Sequence, residues 1–210
     1  GLTEQYTREC LDFIDRHTDT PFFLYLAHMY VHVPLFVPKP FLDRSRNGAY
    51  GGAVACIDWC TGVLVDRLRS HGLLENTLIV FTSDNGSRAR DEGGSNHPFR
   101  GTKSTTWEGG QRVPCIFHWP AAIPPGRSSD AITRSMDLMP TFLDLAGTAP
   151  EPDQPLDGIT LAPLLRGERE VSANEMIYYA ADRLNALRVG DWKLHLDFAP
   201  TWGPVDEDAP

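Results

Sequence analysis

The sequence predicts an α/β fold with a mostly parallel sheet, followed by a small antiparallel subdomain. Three observations carry that prediction. Through residues 1–147 the segments run helix, strand, helix, strand, strand, helix, an order that lays helices on the faces of a parallel sheet. The runs "TPFFLYLA" (20–27) and "NTLIVF" (76–81) are apolar without alternation, as in strands covered on both faces. Beyond residue 171 the pattern changes to short alternating runs around tight turns, the mark of antiparallel hairpins.

Residues 3–17 place Tyr6, Cys10, Phe13 and Ile14 at helical spacing, with Glu4, Arg8, Glu9, Asp12 and Asp15 elsewhere on the wheel. That pattern is an amphipathic helix. "TPFFLYLA" then reads as a buried strand, and "HMYVHVPLFVPKP" (28–40) as a proline-rich loop. A long helix is expected over 49–71, with Ala53, Ile57, Cys60, Leu64 and Leu68 on one stripe and Gly72 at its end. "NTLIVFTSDNG" is a second buried strand running into a turn, and 86–111 is a glycine-rich polar loop without period. "RVPCIFHWP" (112–120) reads as a third strand broken by Pro120, and "SMDLMPTFLDLAG" (135–147) as a helix with Pro140 in its first turn. These segments form a first domain, 1–147. A proline- and acid-rich connector follows over 148–170, and 171–210 holds the antiparallel subdomain. There "EMIYYAA" and "NALRV-GD-WKLHLDF" are strands, the latter two joined at Gly190-Asp191. Trp192, Leu194, Leu196 and Phe198 are expected to face inward, with Lys193, His195 and Asp197 facing water. The end, "GPVDEDAP", is expected to fray.

A net charge of −9 and the lack of a dense Lys/Arg block exclude a nucleic-acid surface. No uninterrupted apolar run reaches the ~18 residues that span a bilayer, so no membrane span is expected. Cys10, Cys56, Cys60 and Cys115 include no Cys-x-x-Cys pair and are expected to be buried or unpaired thiols. The chain opens at "GLTEQY" without Met and reads as a processed or truncated piece.

Ligands of open parallel sheets collect beyond the carboxyl ends of the strands. The first strand ends near His28 and His32, the second at Asp84 and Asn85, and the following loop brings Arg100, Lys103 and Glu108. Asp84 and Asn85 supply hard oxygen ligands suited to Ca²⁺ or Mg²⁺. Lys103 supplies an ammonium for an anionic oxygen, and His32 a proton near neutral pH. Together they describe a site for a tetrahedral oxyanion ester. Simpler roles stand beside these. Asn85-Gly86-Ser87 is also a glycosylation sequon, and His28 is expected to bond a backbone carbonyl. Arg100 can brace the loop, Glu108 can hold a turn, and Trp107 and His195 can serve as packing or surface residues.

In order along the chain, "PFFLYLAHMYVHVPLF", "NTLIVFTSDNG", "RGTKSTTWEGGQRVPCIFHWPAAIPPG", "MDLMPTFLDLAG", "LDGITLAPLLRGE" and "ALRVGDWKLH" closely resemble the second half of type I sulfatases of the arylsulfatase group. The resemblance implies an alkaline-phosphatase-like α/β/α sandwich, here partial, that hydrolyses sulfate esters. It implies Asp84 and Asn85 as ligands of a divalent cation, normally calcium with magnesium as the alternative. It implies Lys103 as a sulfate-binding cation and His32 as the proton donor to the leaving oxygen. The substrate would be a sulfated small molecule or a sulfated sugar.

The family's nucleophile is a formylglycine made from the cysteine of a Cys-x-Pro/Ala-x-Arg motif. Here the cysteines stand in "CLDFI", "CIDWC", "CTGVL" and "CIFHW", none of them such a context. The family's Asp-Asp pair and its upstream lysine and histidine are also missing. The resemblance therefore implies the distal half of a sulfatase, inactive alone, whose partner is the nucleophile-bearing N-terminal half of the same enzyme. A phosphoester or phosphonate hydrolase on the same scaffold, and a non-catalytic binding module, are the alternatives.

Overall fold

The computed structural model describes residues 1–151 and 153–196. The expectations for Asp197, Phe198 and the terminal "GPVDEDAP" lie outside the described residues. Helix α1 (Leu2–Arg16) buries Thr3, Thr7, Cys10 and Ile14, which recur at helical spacing. Past the single turn of α2 (Lys39–Leu42), it lies against α3 (Gly48–Ser70), whose buried residues are Gly52, Ala53, Cys56, Cys60 and Leu68. By length and composition α3 could cross a membrane, although it carries no continuous apolar run. Here its small-residue stripe is packed on α1, where Thr7 Oγ1 lies 3.0 Å from Cys60 Sγ. Gly72, at φ +69°, follows the helix end, a conformation that glycine adopts without a Cβ penalty.

Ile14, Leu68 and Leu74 form the centre of one apolar cluster, joined by Phe22, Leu24, Leu64, Val65, Leu73 and Ile79. Strand β1 (Ile79–Thr82) pairs with β2 (Cys115–His118), Ile79 opposite His118 and Thr82 opposite Cys115. A second cluster centres on Leu161, Leu164 and Val171, with Phe117 of β2 against it. It includes α6 (Ala162–Arg166), which lies beyond α5 (Leu138–Leu145). Strands β3 (Glu175–Ala180), β4 (Arg183–Val189) and β5 (Trp192–His195) form a separate antiparallel sheet in that order. Gly190, at φ +56°, makes the predicted turn between β4 and β5.

Three expectations need correction. The mostly parallel sheet is not met among the described residues, where β1 and β2 run antiparallel. The segment between them doubles back over the carboxyl end of β1, where Gly86 N–H bonds the Gly110 carbonyl at 3.0 Å. The chain therefore re-enters the sheet from that end. Parallel pairing would need a crossover to the opposite end. Second, 20–27 is neither helix nor strand and belongs to no ladder among the described residues. One face, Phe22 and Leu24, packs on the Ile14 cluster, while Phe23 and Tyr25 are 72% and 80% exposed.

Third, β5 alternates as predicted but with its faces reversed. Trp192 is 85% and Leu194 60% exposed, whereas Lys193 and His195 turn inward toward the 106–108 segment. Lys193 has hydrogen-bond partners there, which offset its desolvation, while His195 stacks on Trp107 and its Nε2 is buried without a hydrogen-bond partner among the described residues. All four cysteines are free, Cys10, Cys56 and Cys60 buried and Cys115 exposed.

Candidate functional site

Ser83, Asp84, Asn85 and Gly86 follow β1 directly. Ser83 Oγ donates to the Asn85 carbonyl at 3.0 Å, and the Asn85 side-chain amide touches Asp84 Oδ1. Asp84 is exposed and Asn85 half-buried. A Cβ at Gly86 would collide with the Gly109 carbonyl oxygen, so glycine is what lets the 83–87 turn and the 100–111 loop meet. They are tied again where Lys103 N–H bonds the Ser87 carbonyl at 2.9 Å. Lys103 is half-buried, and the next residue, Ser104, sits at φ +72°. A non-glycine residue held in that left-handed region costs about 1–3 kcal/mol and persists where neighbours over-determine it.

Those neighbours explain why a loop without period is well fixed. Asn96 accepts the Ser87 N–H at 2.7 Å and donates to the Ser87 and Gly101 carbonyls at 2.8 and 3.0 Å. Gln111 Nε2 donates to the Thr105 carbonyl at 2.7 Å, and Gly109 N–H to the Arg100 carbonyl at 2.8 Å. Short helix α4 (Glu108–Gln111) closes the loop. The Arg100 guanidinium lies 4.1 Å over the Trp107 ring. On Trp107 also stacks His195, with centroids 3.7 Å apart. Glu108 accepts from Lys193 Nζ at 2.8 Å and from Arg188 at 3.1 Å. Burial pushes the Lys193 ammonium below its ordinary value, against the pull of Glu108. Asn96, Glu108, Lys193 and His195 were not singled out in the sequence as a set; their contacts are long-range and leave no periodic signal.

His32 is exposed, and its Nδ1 lies 2.7 Å from the Val33 carbonyl. Because a carbonyl only accepts, Nδ1 carries the proton in that contact. Tyr30 OH closes the same loop on the Phe36 carbonyl at 2.6 Å. Thus the structure joins the segments of Asp84, Asn85 and Lys103, and shows no hydrogen bond from His32 to either of them. His28 departs from expectation: its Nδ1 is buried without a hydrogen-bond partner among the described residues rather than bonded to a carbonyl. Among the described residues no group of three or more His, Cys, Asp or Glu side chains is placed to hold a metal. Asp84 and Asn85 are donors of the right kind for a hard cation, but a Ca²⁺ ion takes about 6–8 oxygens, so they would be part of a larger ligand set.

Burial lowers the affinity of His28 for a proton. Burial, with the Lys193 and Arg100 charges, does the same for His195. Both values fall below the ordinary 6.5, so the folded state binds fewer protons than the unfolded one. Their contribution to stability is complete above that ordinary value and is lost as pH falls through the folded values. Thermal denaturation should therefore show Tm dropping as the buffer is taken from about pH 7.5 to about pH 5.5. His28→Gln should flatten that slope; an unchanged slope would remove His28 from the account.

Comparison with known proteins places these features in context. A sequence model described as Sulfatase matches residues 1–148. N-acetylgalactosamine-6-sulfatase of Canis lupus familiaris is 43% identical over 200 residues, covering 93% of this chain and 38% of that protein. Steryl-sulfatase of Homo sapiens is 39% identical over 219 residues, covering 98% of this chain and 37% of that protein. The chain thus spans well under half the length of these relatives. The crystal structure of Ps i-CgsB in complex with k-i-k-neocarrahexaose superimposes with TM-score 0.82 at 33% identity, over 91% of this chain and 45% of that one.

Proposed function

Since the chain belongs to the sulfatase family and shares its alkaline-phosphatase-like α/β fold, we propose that the whole protein hydrolyses a sulfate ester at the rim formed by the 83–87 turn and the 100–111 loop. The observation that carries this is the pair of hydrogen bonds, Gly86 to Gly110 and Lys103 to Ser87, which fasten the turn of Asp84 and Asn85 to the loop of Lys103.

In this reading Asp84 and Asn85 are two ligands of a divalent cation, calcium or magnesium. A cation bound there would neutralise charge on the non-bridging sulfate oxygens. Lys103 Nζ has no ion pair or side-chain hydrogen bond among the described residues, so its ammonium is free to meet a sulfate oxygen and stabilise charge developing toward the bridging atom. His32 delivers the proton to the leaving alcohol. Its Nδ1–H is held by Val33, which orients the ring and leaves Nε2 to take up and hand over that proton. The nucleophile, a formylglycine, and the remaining cation ligands come from the N-terminal part of the enzyme, outside this chain. Residues 1–147 form the distal part of the catalytic domain, 148–170 the connector and 171–210 a C-terminal subdomain. Substrates are sulfated sugars or small molecules; the carbohydrate complex of the solved relative supports the sugar.

The test compares the full-length protein with the 210-residue chain on an aryl sulfate, a sulfated sugar and the matching phosphonate ester. Sulfate release by the full-length protein, lost on chelation and restored by Ca²⁺ or Mg²⁺, with negligible turnover by the short chain, is expected. Faster cleavage of the phosphonate ester would overturn the reading, as would strong activity from the 210 residues alone.

A further inference from the structure

The inward polar face of β5 bears on the same loop. Lys193 Nζ donates to the Thr106 carbonyl and to Glu108 Oε1, and its side chain is only 13% exposed. Arg188 of β4 holds the other Glu108 oxygen at 3.1 Å and donates to the Gly190 carbonyl at 2.9 Å. Thr106 Oγ1 donates to Asn185 Oδ1, and the Lys193 ammonium also lies 3.8 Å over the Tyr178 ring. The C-terminal sheet therefore grips Thr106, Trp107 and Glu108. The other end of the loop is gripped by Ser87 and Asn96. Lys103 is itself part of this second anchor through its N–H, and Ser104, the next residue, lies between the two in its left-handed conformation.

A strained residue keeps its conformation while both flanks are fixed. With the 106–108 flank released, Ser104 can relax toward an ordinary backbone region, and the Lys103 side chain changes its aim although its N–H stays on Ser87. A half-buried ion pair is suited to such anchoring because removing one partner leaves a poorly solvated charge.

We propose that Lys193 is a positioning residue: β5 brings its ammonium to Glu108 and to the Thr106 carbonyl, and the C-terminal sheet thereby sets where Lys103 meets the sulfate group. The proposal rests on the reading of Lys103 as the sulfate-binding cation. It assigns β5 a part in catalysis that acts through the position of Lys103 rather than through a contact of its own with the sulfate group.

The experiment uses the full-length protein, with inorganic sulfate as the probe of the anion site. Lys193→Met keeps an unbranched side chain and removes the charge that lies over Tyr178. It should lower kcat/KM by on the order of 10- to 100-fold and weaken inhibition by inorganic sulfate. Lys193→Arg should restore most of both. In a Lys103→Ala background, Lys193→Met should change sulfate inhibition by less than about twofold, since the two residues then act as one unit. Glu108→Gln, milder for folding, should shift both quantities in the same direction by less. A lower Tm with unchanged kcat/KM and unchanged sulfate inhibition would overturn the proposal, and so would losses that multiply in the double variant. If Lys103→Ala alone left sulfate inhibition intact, the reading of Lys103 would fail first and separately.

Discussion

Replacing Asp137 with alanine is expected to lower the stability of the protein by about 3–5 kcal/mol, the usual result of removing one partner from a buried, hydrogen-bonded ion pair. Its side chain is fully buried. One carboxylate oxygen accepts the Arg134 backbone N–H at 2.7 Å; the other accepts the Arg134 guanidinium at 2.9 Å and the Ile159 N–H at 3.0 Å. The alanine variant would strand all three donors, two of them on the backbone, where water has little access. The damage would not stay local. The Asp137 carbonyl accepts from Thr141 Oγ1 at 2.6 Å, and that hydroxyl accepts the Leu161 N–H at 2.8 Å, so Asp137 and Thr141 fasten the connector to the start of α5. Leu161 is a central member of the second apolar cluster. Asp137→Asn keeps the shape and one acceptor oxygen, and should lose distinctly less. Equilibrium denaturation of both variants checks this; a loss below about 1 kcal/mol for the alanine variant would place it among ordinary hydrogen-bond deletions and show that the connector is held some other way.

Elements governed by local periodicity were legible in the sequence, and those governed by distant partners were not. Helices α1 and α3 begin and end within a residue of the expected bounds, because the 3.6-residue stripe of Cys10 and Ile14, or of Ala53, Cys60 and Leu68, is written within each segment. The Gly190-Asp191 turn was legible for the same reason. The sense of β5 was not. Alternation fixes that Lys193 and Trp192 face opposite ways, but which face turns inward depends on Glu108, some eighty-five residues away in sequence. The direction of β2 likewise depends on how the loop between the strands folds back, and "FFLY" reads the same whether one face or both are covered. Asp84 and Asn85 could be picked out because an acid and an amide together close a buried-looking strand, and Lys103 because it is a cation in the loop that follows. Asn96 and Lys193, which fix the loop, look like ordinary polar residues until their partners are known.

Lys103→Ala in the full-length protein should reduce kcat by about 10²- to 10³-fold, the range found when one preorganised donor to developing negative charge is removed, while leaving Tm nearly unchanged. The two expectations come from the same observation. An ammonium with no ion pair or side-chain hydrogen bond among the described residues contributes little to holding the fold together, in contrast to Lys193, whose charge is matched by Glu108. The backbone contact of Lys103 with Ser87 survives truncation of the side chain, so the turn of Asp84 and Asn85 stays fastened. Lys103→Arg keeps the charge but exchanges a compact ammonium for a planar fork. The longer, planar group spreads its charge over a different position, and only partial recovery is expected. Steady-state kinetics on a sulfate ester with a good leaving group, where protonation matters less, separates Lys103 from His32: loss of Lys103 should persist on that substrate and loss of His32 should shrink. If Lys103→Ala instead lowered Tm by many degrees and spared kcat, the ammonium would be a structural charge, and the anion site would have to be sought on another part of the rim.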